Sequence, residues 1–204
     1  MAAQYHLYGH RRSGHSYKAA LALALAGEPF HYTAVDIAEP RAARTAEFRE
    51  ASRYGEVPVL MVDGVPHCQS DAILLRLAES LPALAVPRES SVLAREWLFW
   101  EANRIGFSVP NLRFARHWAR DTADGVVDWL RRRAEADLER LEAELRRQPF
   151  LLGERWSIAD IACAAYLFWP EEIDVEWERY PAVTIWLDRL RALPGWRRPE
   201  DLMS

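Results

Sequence analysis

Val57-Pro58-Val59-Leu60-Met61-Val62-Asp63-Gly64-Val65-Pro66-His67-Cys68-Gln69-Ser70-Asp71-Ala72-Ile73 changes character several times within one short stretch. Val57 to Val62 is an apolar run of strand length, bounded by turn-forming residues. Asp63-Gly64 is a dipeptide suited to a tight hairpin turn, so His67 and Cys68 fall on a returning strand. Ser70 then opens a helix that the pattern carries to Leu81. A hairpin running straight into a helix is the anchor, and the rest of the first half falls into place around it. Upstream, Tyr5 and Leu7, and then Phe30, Tyr32 and Ala34, follow the two-residue alternation of half-buried strands. Between them Ser16 to Ala26 is rich in Ala and Leu and stops at Gly27, a residue that readily closes a helix in the left-handed conformation. Arg41 to Ala51 reads as a further helix entered after Pro40. The order is β-α-β-α-β-β-α.

Downstream of Leu81 the period is lost over Pro82 to Ser91, which reads as a linker. Everything beyond is helical. Leu130, Ala134, Leu138, Leu141 and Leu145 form an apolar stripe at helical spacing. The pairs Arg131–Glu135, Arg133–Asp137 and Glu142–Arg146 read as the solvated faces of the same helix. Gly153-Glu154-Arg155-Trp156-Ser157-Ile158-Ala159-Asp160 carries a strong local signal. Ser157 and Asp160 stand at the two positions that cap each other's free N–H groups, which makes this a folding device. The fold expected is α/β followed by all-α: residues 1–81, a linker over 82–90, and a helical domain over 91–204.

Composition narrows the function. Half of the 204 residues are apolar and 27% are charged, ordinary for a folded soluble chain with material for a core. A net charge of -4 and a pI near 5.9 argue against nucleic acid as a partner. Lys18 is the only lysine among 26 basic residues. Cys68 and Cys163 make no disulfide framework, and no C-x-x-C pair offers a metal or redox site. The run Ala19 to Ala26 falls short of the roughly 20 residues of a membrane span. It also lies too deep in the chain for the apolar core of a signal peptide. The expectation is a cytoplasmic protein with no metal, membrane or nucleic-acid partner.

The N-terminal order, the Val57-Pro58 step opening a strand, Gln69-Ser70-Asp71-Ala72-Ile73 opening a helix and the capped Ser157–Asp160 helix together resemble the cytosolic glutathione transferases. The likeness is to the bacterial, serine-type members and extends over essentially the whole chain. It implies a thioredoxin-like domain that binds glutathione and an all-helical domain that contributes the electrophile pocket. It further implies a homodimer, for which the apolar surface of the Trp97–Trp100 helix would serve, and a role in detoxification. Glutathione would be a co-substrate, with no tightly bound cofactor.

Carried over residue by residue, the resemblance makes Val57-Pro58 a cis step that offers the Val57 backbone to the cysteinyl part of glutathione. Read alone, it is a trans proline opening an edge strand. Gln69 and Ser70 match the pair that holds the γ-glutamyl group, with Gln69 standing where many members carry Glu. Ser70 is also a plain N-cap, and its hydroxyl and the free N–H groups of a helix start suit a carboxylate. A free thiol with a pKa near 8.5 is mostly protonated at neutral pH, so activation calls for a donor beside the sulfur. In Tyr8-Gly9-His10-Arg11-Arg12-Ser13-Gly14-His15-Ser16-Tyr17-Lys18, Ser13 matches the activating serine, while its alternative reading is N-cap of the first helix. Tyr8 and Ser16 are its rivals. No cysteine stands in this loop, which speaks against thiol-disulfide exchange of the glutaredoxin kind; Cys68 reads as strand packing.

The resemblance places the electrophile pocket between the first loop and the first helices of the second domain. His10, Arg11, Trp100, Arg104 and His117 are its candidates, in a stretch also dense in Trp97, Asn103, Phe107 and Phe114. The arginines hint at an anionic co-substrate, and a solvated charge run explains them as well. The function implied is transfer of an alkyl or aryl group to the sulfur of glutathione. The alternatives are a glutathione-dependent isomerase or lyase, and a non-catalytic module that retains the fold for interaction.

Overall fold

A computed structural model describes residues 4–204. The chain divides into two compact units: residues up to Ala85 together with Leu193–Ser204, and Val86–Ala192. The first has a four-stranded sheet in the order β2-β1-β3-β4, from β1 (Tyr5–Gly9), β2 (Phe30–Ala34), β3 (Val59–Val62) and β4 (Val65–Cys68). β1 and β2 are parallel; β1 with β3 and β3 with β4 are antiparallel. The hairpin turn falls at Asp63-Gly64, both at positive φ.

Alternation along the strands sorts side chains to the two faces of the sheet. Leu7 and Leu60 are register partners, both fully buried, on the face covered by α1 (Gly14–Ala26) and α3 (Ser70–Ser80). Tyr8 and Val59 are partners on the other face, where α2 (Ala46–Ala51) brings Phe48 and Ala51. Ser16 to Leu23 of α1 is buried throughout, which explains why this helix is apolar on nearly every side. It closes at Gly27, φ 73, with the Gly27 and Glu28 N–H groups on Ala24 and Leu23.

The second helix differs from its sequence reading. Arg41–Ala43 is a single 3₁₀ turn, and the chain then extends through Arg44, ψ 159. Arg44 donates to the carbonyls of Gly55, Ile37 and Glu39. The helix restarts where Thr45 Oγ1 accepts the Phe48 N–H, a cap that competes with continuing the earlier turn.

The boundary between units lies inside the proposed linker, which carries two 3₁₀ turns, Pro82–Leu84 and Arg88–Ser90. The C-terminal segment departs from the expected helical domain of 91–204. Leu193–Ser204 belongs to the first unit, with α9 (Pro199–Leu202) against α1 and Tyr17 Oη donating to the Arg197 carbonyl at 2.6 Å. At Gly195, φ 88, a Cβ would stand 2.6 Å from the Ala24 carbonyl oxygen, so only glycine permits that approach.

The second unit comprises α4 (Ser91–Asn103), α5 (Ile105–His117), α6 (Asp124–Leu145), α7 (Ile158–Ala164) and α8 (Pro181–Arg191). The stripe Leu130, Ala134, Leu138, Leu141 and Leu145 is its buried spine. Two residues assigned to the solvated faces of α6 are buried instead. Asp137 takes Arg104 Nε at 2.8 Å and Ser108 Oγ at 2.7 Å, and Glu142 accepts the Val183 N–H at 3.0 Å while keeping Arg146 at 2.9 Å. Each buried carboxylate is matched by donors, as burial of charge demands. Among the described residues no helix is long and apolar enough to cross a membrane, and no group of three or more potential ligands is placed to hold a metal.

Candidate active site

Strand register collects the first-domain candidates at one edge of the sheet. Val59 pairs with Tyr8 on one side and Cys68 on the other. The residues that follow Tyr8, precede Val59 and follow Cys68 therefore emerge together. These are the loop to Ser13, the Val57-Pro58 step, and Gln69-Ser70. The N-termini of α1 and α3 start from two of these exits, so two helix ends with unpaired N–H groups border the edge, a setting that favours anions.

The loop is tightly held. At Gly9 a Cβ would stand 3.0 Å from Ser16 Cβ and 3.1 Å from Tyr32, a close approach that glycine makes easy. Ser16 is fully buried, and its Oγ accepts the His10 N–H at 3.1 Å. The His10 carbonyl accepts the Ser13 N–H at 2.8 Å. Ser13 is the N-cap of α1, its Oγ accepting the Ser16 N–H at 3.2 Å. An acceptor role leaves the hydroxyl proton available, so capping and donation to a ligand are compatible in one side chain. Ser16 holds the loop from within. Tyr8 lies on the α2 face of the sheet, its ring 5.8 Å from Phe48 and 4.3 Å from His6.

Val57-Pro58 is cis. Gln69 has φ 69 and ψ 117, a region that residues with a Cβ rarely occupy, and its exposed side chain makes no capping hydrogen bond. Such backbone costs about 1–3 kcal/mol and concentrates at functional positions. Gln69→Gly relieves that cost, less the extra entropy of glycine in the unfolded chain. Urea denaturation is therefore expected to show a variant as stable as the parent or about 1 kcal/mol more stable. A clear loss of stability would show that the side chain holds structure.

Ser70, at the first turn of α3, is nearly buried. Its Oγ receives Lys18 Nζ at 3.2 Å and lies 3.5 Å from His15 Nδ1. Lys18 also meets Asp71 Oδ1 at 2.8 Å. Sequence reasoning missed His15, Lys18 and Asp71. The available signal was a lone lysine inside an otherwise apolar helix, where a charge must have a partner. Cys68 packs toward α2, its Sγ 3.8 Å from the Ala51 carbonyl, as a strand packing residue does.

The residues assigned to an electrophile pocket come from the first loop of one unit and from α4 and the two ends of α5 in the other. His10 belongs to the loop. Burial pushes its imidazole below the ordinary value, Asp36 opposes this, and Arg11 and Arg12 add to the lowering. Arg11 is exposed. Trp100 meets Trp97 edge-on at 5.3 Å in α4, and Trp97 is core. Arg104 and His117 flank and close α5, about 20 Å apart along its axis at the rise of a helix. The guanidinium of Arg104 is taken up by buried Asp137, and His117 Nε2 lies 3.2 Å from the Glu172 carbonyl.

Comparison with known proteins adds an independent line. The glutathione S-transferase N-terminal domain matches residues 12–80 and the glutathione S-transferase C-terminal domain residues 115–194. The disulfide-bond oxidoreductase YfcG of Escherichia coli is 30% identical over 159 residues, covering 73% of each chain. A probable maleylacetoacetate isomerase of Vibrio cholerae is 28% identical over 207 residues, covering 96% of this chain and 95% of its own. The crystal structure of a glutathione S-transferase from Xanthobacter autotrophicus Py2 superposes with a TM-score of 0.86 at 33% identity, covering 95% of this chain and 96% of that one.

Proposed function

The chain belongs to the glutathione S-transferase family, whose members are glutathione-dependent enzymes, and we propose that it activates the thiol of glutathione for attack on a small electrophile. Glutathione occupies the sheet edge of the first unit. The Val57 backbone pairs with its cysteinyl part, and Gln69, Ser70 and the start of α3 take the γ-glutamyl group. Ser13 donates its hydroxyl proton to the sulfur, which favours thiolate over thiol. The thiolate forms a carbon–sulfur bond to the electrophile, and a leaving group departs or a proton is taken up. The observation that carries this reading is Ser13 itself, buried at the start of α1 with its oxygen used by Ser16 and its proton available.

Calorimetric titration with glutathione in two buffers of different ionisation enthalpy tests it. Saturable binding with release of a proton near neutral pH is expected. Binding without proton release would remove the activating role of Ser13. Absence of binding would turn the assignment toward an interaction module. In the same assay Gln69→Gly is expected to weaken glutathione, and Ser70→Ala likewise.

Isomerisation is the second reading, favoured by the similarity along nearly the whole chain to a relative named as a probable maleylacetoacetate isomerase. It uses the same thiolate, which adds to an unsaturated substrate and is expelled again. Labelled glutathione separates the two, since conjugation carries label into product and isomerisation returns it. Formation of glutathione disulfide from a disulfide substrate would be a third result. It would place the exchange on the sulfur of glutathione, because Cys68 packs toward α2 and Cys163 is buried in α7.

A further inference from the structure

His6 on β1 and His31 on β2 are far apart in the sequence and meet only through strand register. They are partners in the parallel pair, so their side chains leave the same face of the sheet, from strands about 4.7–4.9 Å apart. Tyr8 and Thr33, the next register partners on that face, lie beside them. His31 is exposed and His6 is half-buried. The two imidazole rings stand edge to face, with centroids 6.4 Å apart.

The rings are held differently. The His6 ring lies 4.3 Å from the Tyr8 ring, tilted by 34°, and its Nε2 is 2.8 Å from Thr33 Oγ1. With Nε2–H as donor to that hydroxyl, Nδ1 carries the lone pair. A hydrogen bond on the far nitrogen is how metal-bound imidazoles are oriented, and here it fixes tautomer and ring plane in advance. The His31 ring makes no hydrogen bond among the described residues, and its exposed side chain is free to turn. Two imidazoles on one ion, each bonded at about 2.0–2.1 Å, bring their ring centres to about 5–6 Å. Rotation of the His31 side chain supplies that approach and leaves the strands in place. Packing alone does not call for nitrogen here, since a β-branched or aromatic side chain on β1 would cover Tyr8 as well.

We propose that His6 and His31 form a site for a divalent late first-row metal ion, with Thr33 as the residue that orients His6. Neutral imidazole suits nickel, copper and zinc, and copper binds most tightly of the three in the usual order. Only two side chains contribute, which agrees with the absence of any three-ligand group among the described residues. The remaining coordination positions are left to solvent or to a small ligand. The site goes beyond the glutathione reading and does not depend on it, because none of the residues assigned to glutathione binding belongs to it.

Nickel(II) is the probe for the full-length protein, because it binds imidazole without oxidising Cys68 or Cys163. Calorimetric titration without glutathione is expected to show a saturable site. Loss of an outer partner costs about 10–100-fold in metal affinity and loss of a ligand costs more. Thr33→Val is therefore expected to weaken nickel about tenfold, and His6→Ala and His31→Ala more than about 100-fold each. The paired imidazoles exist only in the folded chain, so saturating nickel raises the melting temperature of the parent and leaves that of His31→Ala unmoved. Nickel is paramagnetic, and the line broadening it causes in NMR spectra is expected to centre on β1 and β2. Should His6→Ala fail to fold, the exposed His31 decides alone. Unchanged affinity in His31→Ala, broadening centred on another histidine, or a parent without saturable binding would each overturn the proposal. Glutathione binding is tested by its own titration, and its outcome is separate from all of these.

Discussion

Ser13→Ala is expected to lower turnover about a hundredfold or more while glutathione binds within about threefold of the parent. The argument follows from what Ser13 touches. Its oxygen accepts the Ser16 N–H, and the proposed function assigns its proton to the ligand. A donor to a sulfur anion stabilises the charged form and adds little to the affinity of the peptide as a whole, which the proposed function gives to the γ-glutamyl and cysteinyl contacts. Loss of the donor therefore raises the thiol pKa in the complex and shifts the rising limb of the pH–rate profile to higher pH. Alanine also removes an N-cap, at about 1 kcal/mol of stability. Ser13→Asp separates the two roles, because a carboxylate caps the helix as well as serine does but repels a thiolate. Stability near that of the parent with turnover abolished is expected for Asp. Tyr8→Phe is expected to be nearly silent, since its ring packs with Phe48 on the α2 face. A crippled Tyr8→Phe beside a silent Ser13→Ala would transfer the activating role to the tyrosine.

What the sequence disclosed follows from how local each signal is. The hairpin, the caps at Gly27 and Ser157 and the stripe on α6 depend on near neighbours, and each stands where its pattern put it. The break before Thr45 was hidden because a helical composition runs through Arg41 to Ala51. The interruption comes from Arg44 reaching the carbonyls of Ile37, Glu39 and Gly55. Asp137 read as a surface charge four residues from Arg133, but its partners are Arg104 and Ser108 on another helix, and periodicity carries no information about those. The placement of Leu193–Ser204 in the first unit is likewise a tertiary fact: Tyr17 and Arg197 meet across almost the whole length of the chain. Gln69 and Ser70 are assigned by motif, and what the structure adds is the positive φ of Gln69 and the place of Ser70 at the start of α3. Lys18 was visible only as a chemical oddity whose partner the sequence did not name.

The helical unit carries the largest expected stability effect, at Asp160. The capping box promised two hydrogen bonds, from the N–H of Ser157 to Asp160 Oδ2, at 2.8 Å, and from a first-turn N–H of the helix back to Ser157 Oγ, which accepts the Ala159 N–H at 3.2 Å. Asp160 does more than cap. Fully buried, it also accepts the Ser157 hydroxyl at 2.9 Å, the Leu151 N–H at 2.9 Å and Trp186 Nε1 at 2.9 Å. One carboxylate thus joins the loop before α7, the start of α7 and the indole of α8. Asp160→Ala strands several buried donors at once, each worth about 1–3 kcal/mol when left unmade, and opens space beside a fully buried tryptophan. A loss of about 4 kcal/mol or more is expected in urea denaturation, enough to take much of the stability of a domain. Asp160→Asn retains one acceptor oxygen, which can serve Leu151 and Trp186 but turns an amide donor toward the Ser157 N–H, so an intermediate loss is expected. Burial pushes the Asp160 carboxyl above its ordinary value, and the bonds from Leu151, Trp186 and Ser157 pull it back. A carboxyl raised in the folded state binds its proton more tightly there than in the unfolded chain. The parent therefore gains stability relative to Asp160→Ala as pH falls through that window. The difference between the two proteins is expected to persist or widen on mild acidification. A difference that vanishes there would show the carboxylate held below its ordinary value, with its four donors outweighing burial.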